Sequence, residues 1–244
     1  MGEWLGRPLW EMQPSDADAY FGKVLKTASA SVRSAKAQSL STYFQFLELR
    51  HKTEIYHLTG RVIECPLDEM NRPRAHVDGR LRVPPSDAEI EELFAGWRDE
   101  LAVCRKYATG ARNYAVARLM ADIGLRIGES RQLDLDDIRW DLGTFGKINV
   151  RFGKGSGRRG PKQRIVPLIN GADRTLRWFI EDVWALFAGD HTRPGAPLFP
   201  SERKNDGGSS GRAGYEVLRA SLDEATRRHL PAWVGRVSEI LCGR

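Results

Sequence analysis

The sequence predicts a mainly α protein with one small antiparallel β-sheet, divided into two domains. Three observations carry this. Apolar residues recur at helical spacing along most of the chain. A single strand, turn and strand lies between Lys147 and Leu168. An aperiodic stretch from Cys65 to Pro85, with Pro66, Pro73, Gly79, Pro84 and Pro85 among charges, separates two patterned regions. A chain of 244 residues, 41% hydrophobic, is long enough for two modest cores. The boundary is placed near residue 82, giving a helical domain with its linker at 1–82 and a second domain at 83–244.

In order along the chain, a helix opens at Ser15, with Asp18 three residues on as in a capping box, and Tyr20, Phe21, Val24 and Leu25 on one face. A second helix carries Leu40, Tyr43, Phe44 and Leu47 in one stripe. After the linker, Ser86 and Glu89 form a capping box ahead of Ile90, Leu93, Phe94, Trp97 and Leu101. A further helix runs from about Arg112 to Ile123 and stops at Gly124, a good left-handed cap. Lys147 to Phe152 turns Ile148, Val150 and Phe152 inward, and Gln163 to Leu168 returns as the partner strand. Two more helices follow at about 172–187, striped by Leu176, Ile180, Val183 and Phe187, and at about 214–229, striped by Val217, Leu218, Leu222 and Ala225. Between them Asp206 to Gly211 reads as a glycine and serine loop. Trp97, Trp178 and Trp184 sit on helix stripes and are expected in the core.

No run of some 18 apolar residues occurs, and the first residues have neither the basic start nor the apolar stretch of a signal peptide, so a soluble, cytoplasmic chain without a membrane partner is expected. Cys65, Cys104 and Cys242 are far apart and lack His or Cys partners at zinc spacing, which argues against a disulfide or a metal site. The net charge of +6 suits a polyanion. Its distribution says more: from Arg151 to Arg164 there are six basic residues, Arg151, Lys154, Arg158, Arg159, Lys162 and Arg164, and no acidic one. A glycine-bearing turn of that kind can approach a phosphate backbone closely. It is not a nucleotide-binding P-loop, because no glycine stands five positions before Gly153, the glycine that precedes Lys154.

The segment Ile123-Gly124-Leu125-Arg126-Ile127-Gly128-Glu129-Ser130, followed by Leu133, Leu135, Asp136, Asp137, Ile138 and Trp140, resembles the first signature box of the tyrosine recombinase (phage integrase) family. Arg126 and Glu129 alone would be an ordinary helix-surface pair; the flanking residues, joined to the basic hairpin downstream, carry the resemblance. The resemblance implies a helical core-binding domain followed by part of a catalytic domain, and double-stranded DNA as partner, with other recombinase protomers in an assembly. Arg126 would meet the scissile phosphate, where a planar, permanently charged fork holds two oxygens as negative charge develops. Glu129 would hold the local turn. Lys154, in the Gly-Lys-Gly turn, matches the family's proton donor to the departing 5′ oxygen. Complete relatives form a 3′-phosphotyrosine link without metal, nucleotide or other cofactor.

Pro197 to Ser201 and the helix at 214–233 continue the resemblance, which then stops. The family's second box begins His-x-x-Arg, but the residues three after His51, His57, His76, His191 and His229 are Glu54, Gly60, Gly79, Pro194 and Ala232. The last tyrosine, Tyr215, precedes the place where that box would begin. The expectation is therefore a C-terminally truncated recombinase that binds DNA but cannot cleave it alone, with Val217, Leu218, Leu222 and Trp233 underburied for want of covering helices. The rival is a non-catalytic DNA-binding protein that occupies recombination sites or modulates a full-length integrase; a His-x-x-Arg and a tyrosine encoded downstream in another frame would separate the two.

Overall fold

The computed structural model describes residues 1–74, 84–153, 155, 160–187, 189–204 and 210–234. The chain divides into two compact units, Met1–Leu81 and Arg82–Arg244, each with its own apolar core. Both are mainly helical, and the described strands form two small antiparallel sheets within 138–212.

The first unit contains α1 (Gly2–Leu5), α2 (Pro14–Ala19), α3 (Ala30–Arg50) and α4 (Lys52–Thr59), with a π turn at Tyr20–Val24. The cap of α2 lies two residues before Ser15. Pro14 takes the first helical position, where its missing N–H costs nothing, and Asp16 accepts the Gln13 N–H at 2.8 Å. Leu40, Phe44 and Leu47 of α3, joined by Ala37, bury against Met12, Tyr20, Phe21, Ile63 and Leu67. Val24 of the expected first stripe is exposed, because the π turn rotates it away. The start of the expected linker is structured as well: Leu67 is buried, and the Cys65 N–H donates to Glu48 Oε1 at 2.9 Å.

The second unit begins with α5 (Asp87–Leu101), capped reciprocally as its sequence predicts. The Glu89 N–H reaches Ser86 Oγ at 3.3 Å, and the Ser86 N–H reaches Glu89 Oε2 at 2.8 Å. The next helix, α6 (Tyr107–Ile123), starts five residues before the predicted Arg112. Residues 111–117 are all buried, so α6 is the central rod on which α5, α8 (Ala172–Trp178) and α9 (Tyr215–His229) pack. Gly124, with φ of 67°, ends it. The α8 helix passes into a π turn at Phe179–Val183 and a 3-10 turn at Trp184–Leu186, and Leu176, Phe179, Val183 and Phe187 bury. Trp97 and Trp184 are buried and Trp178 packs beside them.

The first sheet runs β1 (Ile138–Arg139), β2 (Lys147–Gly153), β3 (Lys162–Pro167), with Ile148 opposite Val166 and Val150 opposite Arg164. Ile148 and Val150 are buried as expected, but Phe152 faces outward, 43% exposed. The register shifts between Val150 and Gly153, and an extra residue reverses the in-out alternation from there on. A second hairpin, β4 (Pro200–Lys204) with β5 (Ser210–Arg212), takes in part of the stretch read as a loop; residues 206–209 of that loop lie outside the described residues. Its strands are short and polar and carry no alternation. The expected underburial near the C-terminal end of this unit is also corrected. Leu218 and Leu222 are 3% and 1% exposed because α5 and α6 cover that face of α9, and Trp233 packs on the core with its Nε1–H on Glu89 Oε1 at 2.7 Å. Val217 alone is half exposed, on the opposite side of α9.

Candidate nucleic-acid interface

Where α6 stops at Gly124 the chain becomes extended for two residues, then enters α7 (Ile127–Ser130) with Arg126 as its N-cap. Leu125 and Ile127 on either side are 1% and 2% exposed. Two buried anchors flanking an extended residue force it the other way, so the Arg126 side chain emerges, 44% exposed. Glu129, at the third helical position, accepts the Arg126 backbone N–H and Nη1, both at 3.0 Å. Its side chain is nearly fully buried, at 3% exposure.

The hairpin completes this arrangement. Arg164 of β3 sends Nη1 and Nη2 to the two Glu129 oxygens at 2.8 and 2.7 Å, so one carboxylate receives four donors. Burial pushes the Glu129 carboxyl up, but the hydrogen bonds from Arg164 and Arg126 outweigh it and hold it at about 2. Gly153 leaves the space for this pairing: an added Cβ would stand 2.5 Å from the Lys162 carbonyl oxygen and 3.3 Å from Arg164 Nη1. Beyond it, the backbones of Gly155 and Gly160 close to a neck too tight for any Cβ at 155.

Of the six hairpin cations, Lys154, Arg158 and Arg159 lie outside the described residues, and Lys162 is exposed. Arg151 and Arg164 are engaged inside the domain. Arg151 reaches Asp137 at 2.7 Å, and also Asp134, which raises its pKa; the Asp137 hydrogen bond is the main cause. Arg212 of β5 bonds the same Asp134 and the Leu133 carbonyl. The segment 132–137 that leaves α7 thus ties both hairpins to one place. Sequence reasoning read Asp137 only as part of the signature's flank and passed over Asp134 and Arg212. The one local signal was the spacing of Asp134 and Asp137, a capping box in which the Asp134 N–H meets Asp137 Oδ2 at 2.8 Å.

A second missed residue is Arg112 of α6, 2% exposed. It holds the Pro200 carbonyl at 2.7 Å and the Asn113 amide oxygen at 2.8 Å, anchoring β4. Burial lowers its pKa to about 10, against the pull of Glu202. Among the described residues, no group of three or more His, Cys, Asp or Glu could hold a metal ion, and no helix is long and apolar enough to cross a membrane.

This arrangement holds a half-exposed guanidinium by one edge. Of its five N–H donors, Glu129 takes one among the described residues, and the rest suit an oxyanion. The fold around it is that of solved site-specific recombinases and integrases. The chain is similar to the XerH site-specific recombinase bound to palindromic difH substrate as a post-cleavage complex, with a TM-score of 0.57, 15% identity, and coverage of 96% of this chain and 66% of that one. It is similar too to the Tn1549 transposon integrase in complex with transposon right end DNA, with a TM-score of 0.51, 14% identity, and coverage of 98% and 79%. The chain therefore spans about two thirds of the XerH chain it matches. No protein-family model matches the sequence, and no curated protein matches it.

Proposed function

We propose that these 244 residues are a DNA-binding member of the tyrosine recombinase (phage integrase) family that grips duplex DNA and does not cut it unaided. The observation that carries the reading is the single Glu129 carboxylate on which the Arg126 turn and the basic hairpin strand meet. It joins an exposed arginine to a strand of the basic hairpin, which supports the pairing that phosphate chemistry needs. In this reading residues 1–82 are the core-binding domain, Arg126 contacts the scissile phosphate, Lys154 supplies charge at the leaving oxygen, and Arg158, Arg159 and Lys162 follow the backbone. Other recombinase protomers would be partners on the same DNA.

Within these 244 residues the chemistry stops at charge stabilisation. A covalent step needs a hydroxyl nucleophile with an activating group, and the sequence holds no His-x-x-Arg and no tyrosine after Tyr215. The test is a nicked duplex drawn from the sequences the chain retains in a binding selection. Retention without any covalent protein–DNA adduct is expected. An adduct on any tyrosine of the chain, Tyr215 included, overturns the reading of these residues as unable to cleave.

A further inference from the structure

The most buried carboxylate among the described residues of this interface is Glu129, and its two cations arrive by different routes. Arg126 belongs to its own turn and Arg164 to the hairpin, and these are the charged groups recorded against it. Resting on the reading just given, we propose that Arg164 is a positioning residue: by clamping both oxygens of Glu129 it fixes the edge on which Arg126 turns toward phosphate, and it does not touch DNA itself.

Geometry separates this role from a direct contact. Arg164 spends both terminal nitrogens on one carboxylate, at 2.8 and 2.7 Å, whereas Arg126 spends one, at 3.0 Å. Swinging Arg164 out to a phosphate would strip an almost wholly buried carboxylate of two of its four donors, a larger loss than one backbone contact returns. The strand is also shaped for the inward pose: Arg164 lies opposite the buried Val150, and a Cβ at Gly153 would stand 3.3 Å from its Nη1, tighter than an ordinary contact. A lysine there could meet only one oxygen and would leave the carboxylate free to rock.

The experiment measures affinity of the full 244-residue chain for a random-sequence duplex against salt, with Arg126→Ala, Arg164→Ala and the double variant. Arg126→Ala lowers the slope of log affinity on log salt by about one. Arg164→Ala lowers it to a similar extent, and the double variant goes no lower, because the second residue acts through the first. A further drop in the double variant overturns the proposal in favour of direct contact; an Arg164→Ala slope equal to wild type overturns it outright. If Arg126→Ala itself leaves the slope unchanged, the DNA-binding role of Arg126 falls, and the proposal with it. Should Arg164→Ala be unfolded at the assay temperature, Arg164→Lys decides: a slope below wild type supports the clamp, and a full wild-type slope overturns it.

Discussion

A carboxylate with four donors and almost no solvent is a store of pH-dependent stability. Glu129 titrates at about 2 in the folded chain against an ordinary value near 4.5, so the unfolded chain binds more protons as the medium is acidified. Its contribution, about 3 kcal/mol from that difference, is complete above pH 4.5 and is lost as the pH falls toward 2. Glu129→Gln should therefore melt well below wild type at pH 7, with the gap narrowing as pH drops through that window; a gap independent of pH would show that the carboxylate's charge is not what matters. Arg126 and Glu129 could be read from sequence because their pairing spans three residues and one turn. The partners of Arg151 and Arg164 lie 14 and 35 residues away, and nothing local marks an arginine in a basic run as one that folds inward.

Elements declare themselves when their physics is local. Ser86 and Glu89 cap α5 within a single turn, and Ser86→Ala should cost about 1 kcal/mol, read as a lowered urea midpoint with unchanged m value. A midpoint equal to wild type would mean that the cap adds nothing to the helix. The hairpin β2–β3 was equally plain, since alternating apolar residues flank a glycine-rich turn. Phe152 was misplaced because a bulge changes alternation without changing composition. The β4–β5 hairpin left no trace, because its stability comes from Arg112 and Arg212, whose guanidiniums reach it or leave it for carbonyls far along the chain.

At the scale of the whole molecule, a net charge of +6 overstates the positive charge left free for a polyanion. Two of the hairpin's six cations already have carboxylates, so under the proposed DNA-binding reading the counterions displaced belong to the others. Replacing Arg158 and Arg159 with alanine should lower the salt slope by up to about 2, roughly one per contact, without changing the melting temperature. An unchanged slope would remove the loop from the interface. Arg151→Ala should do the reverse, loosening the fold while leaving the slope near wild type. Division into two units was legible from prolines and glycines alone, whereas the covering of Leu218 and Leu222 was not: α5 and α6 approach α9 from more than ninety residues earlier in the chain.

The neck between Gly155 and Gly160 has an evolutionary reach. A segment whose ends are pinned can be lengthened at little entropic expense, about 0.6 kcal/mol for each doubling of its span. Descendants of this chain can therefore lengthen or shorten the stretch between those two glycines while Val150 stays opposite Arg164 and the grip on Glu129 is inherited intact.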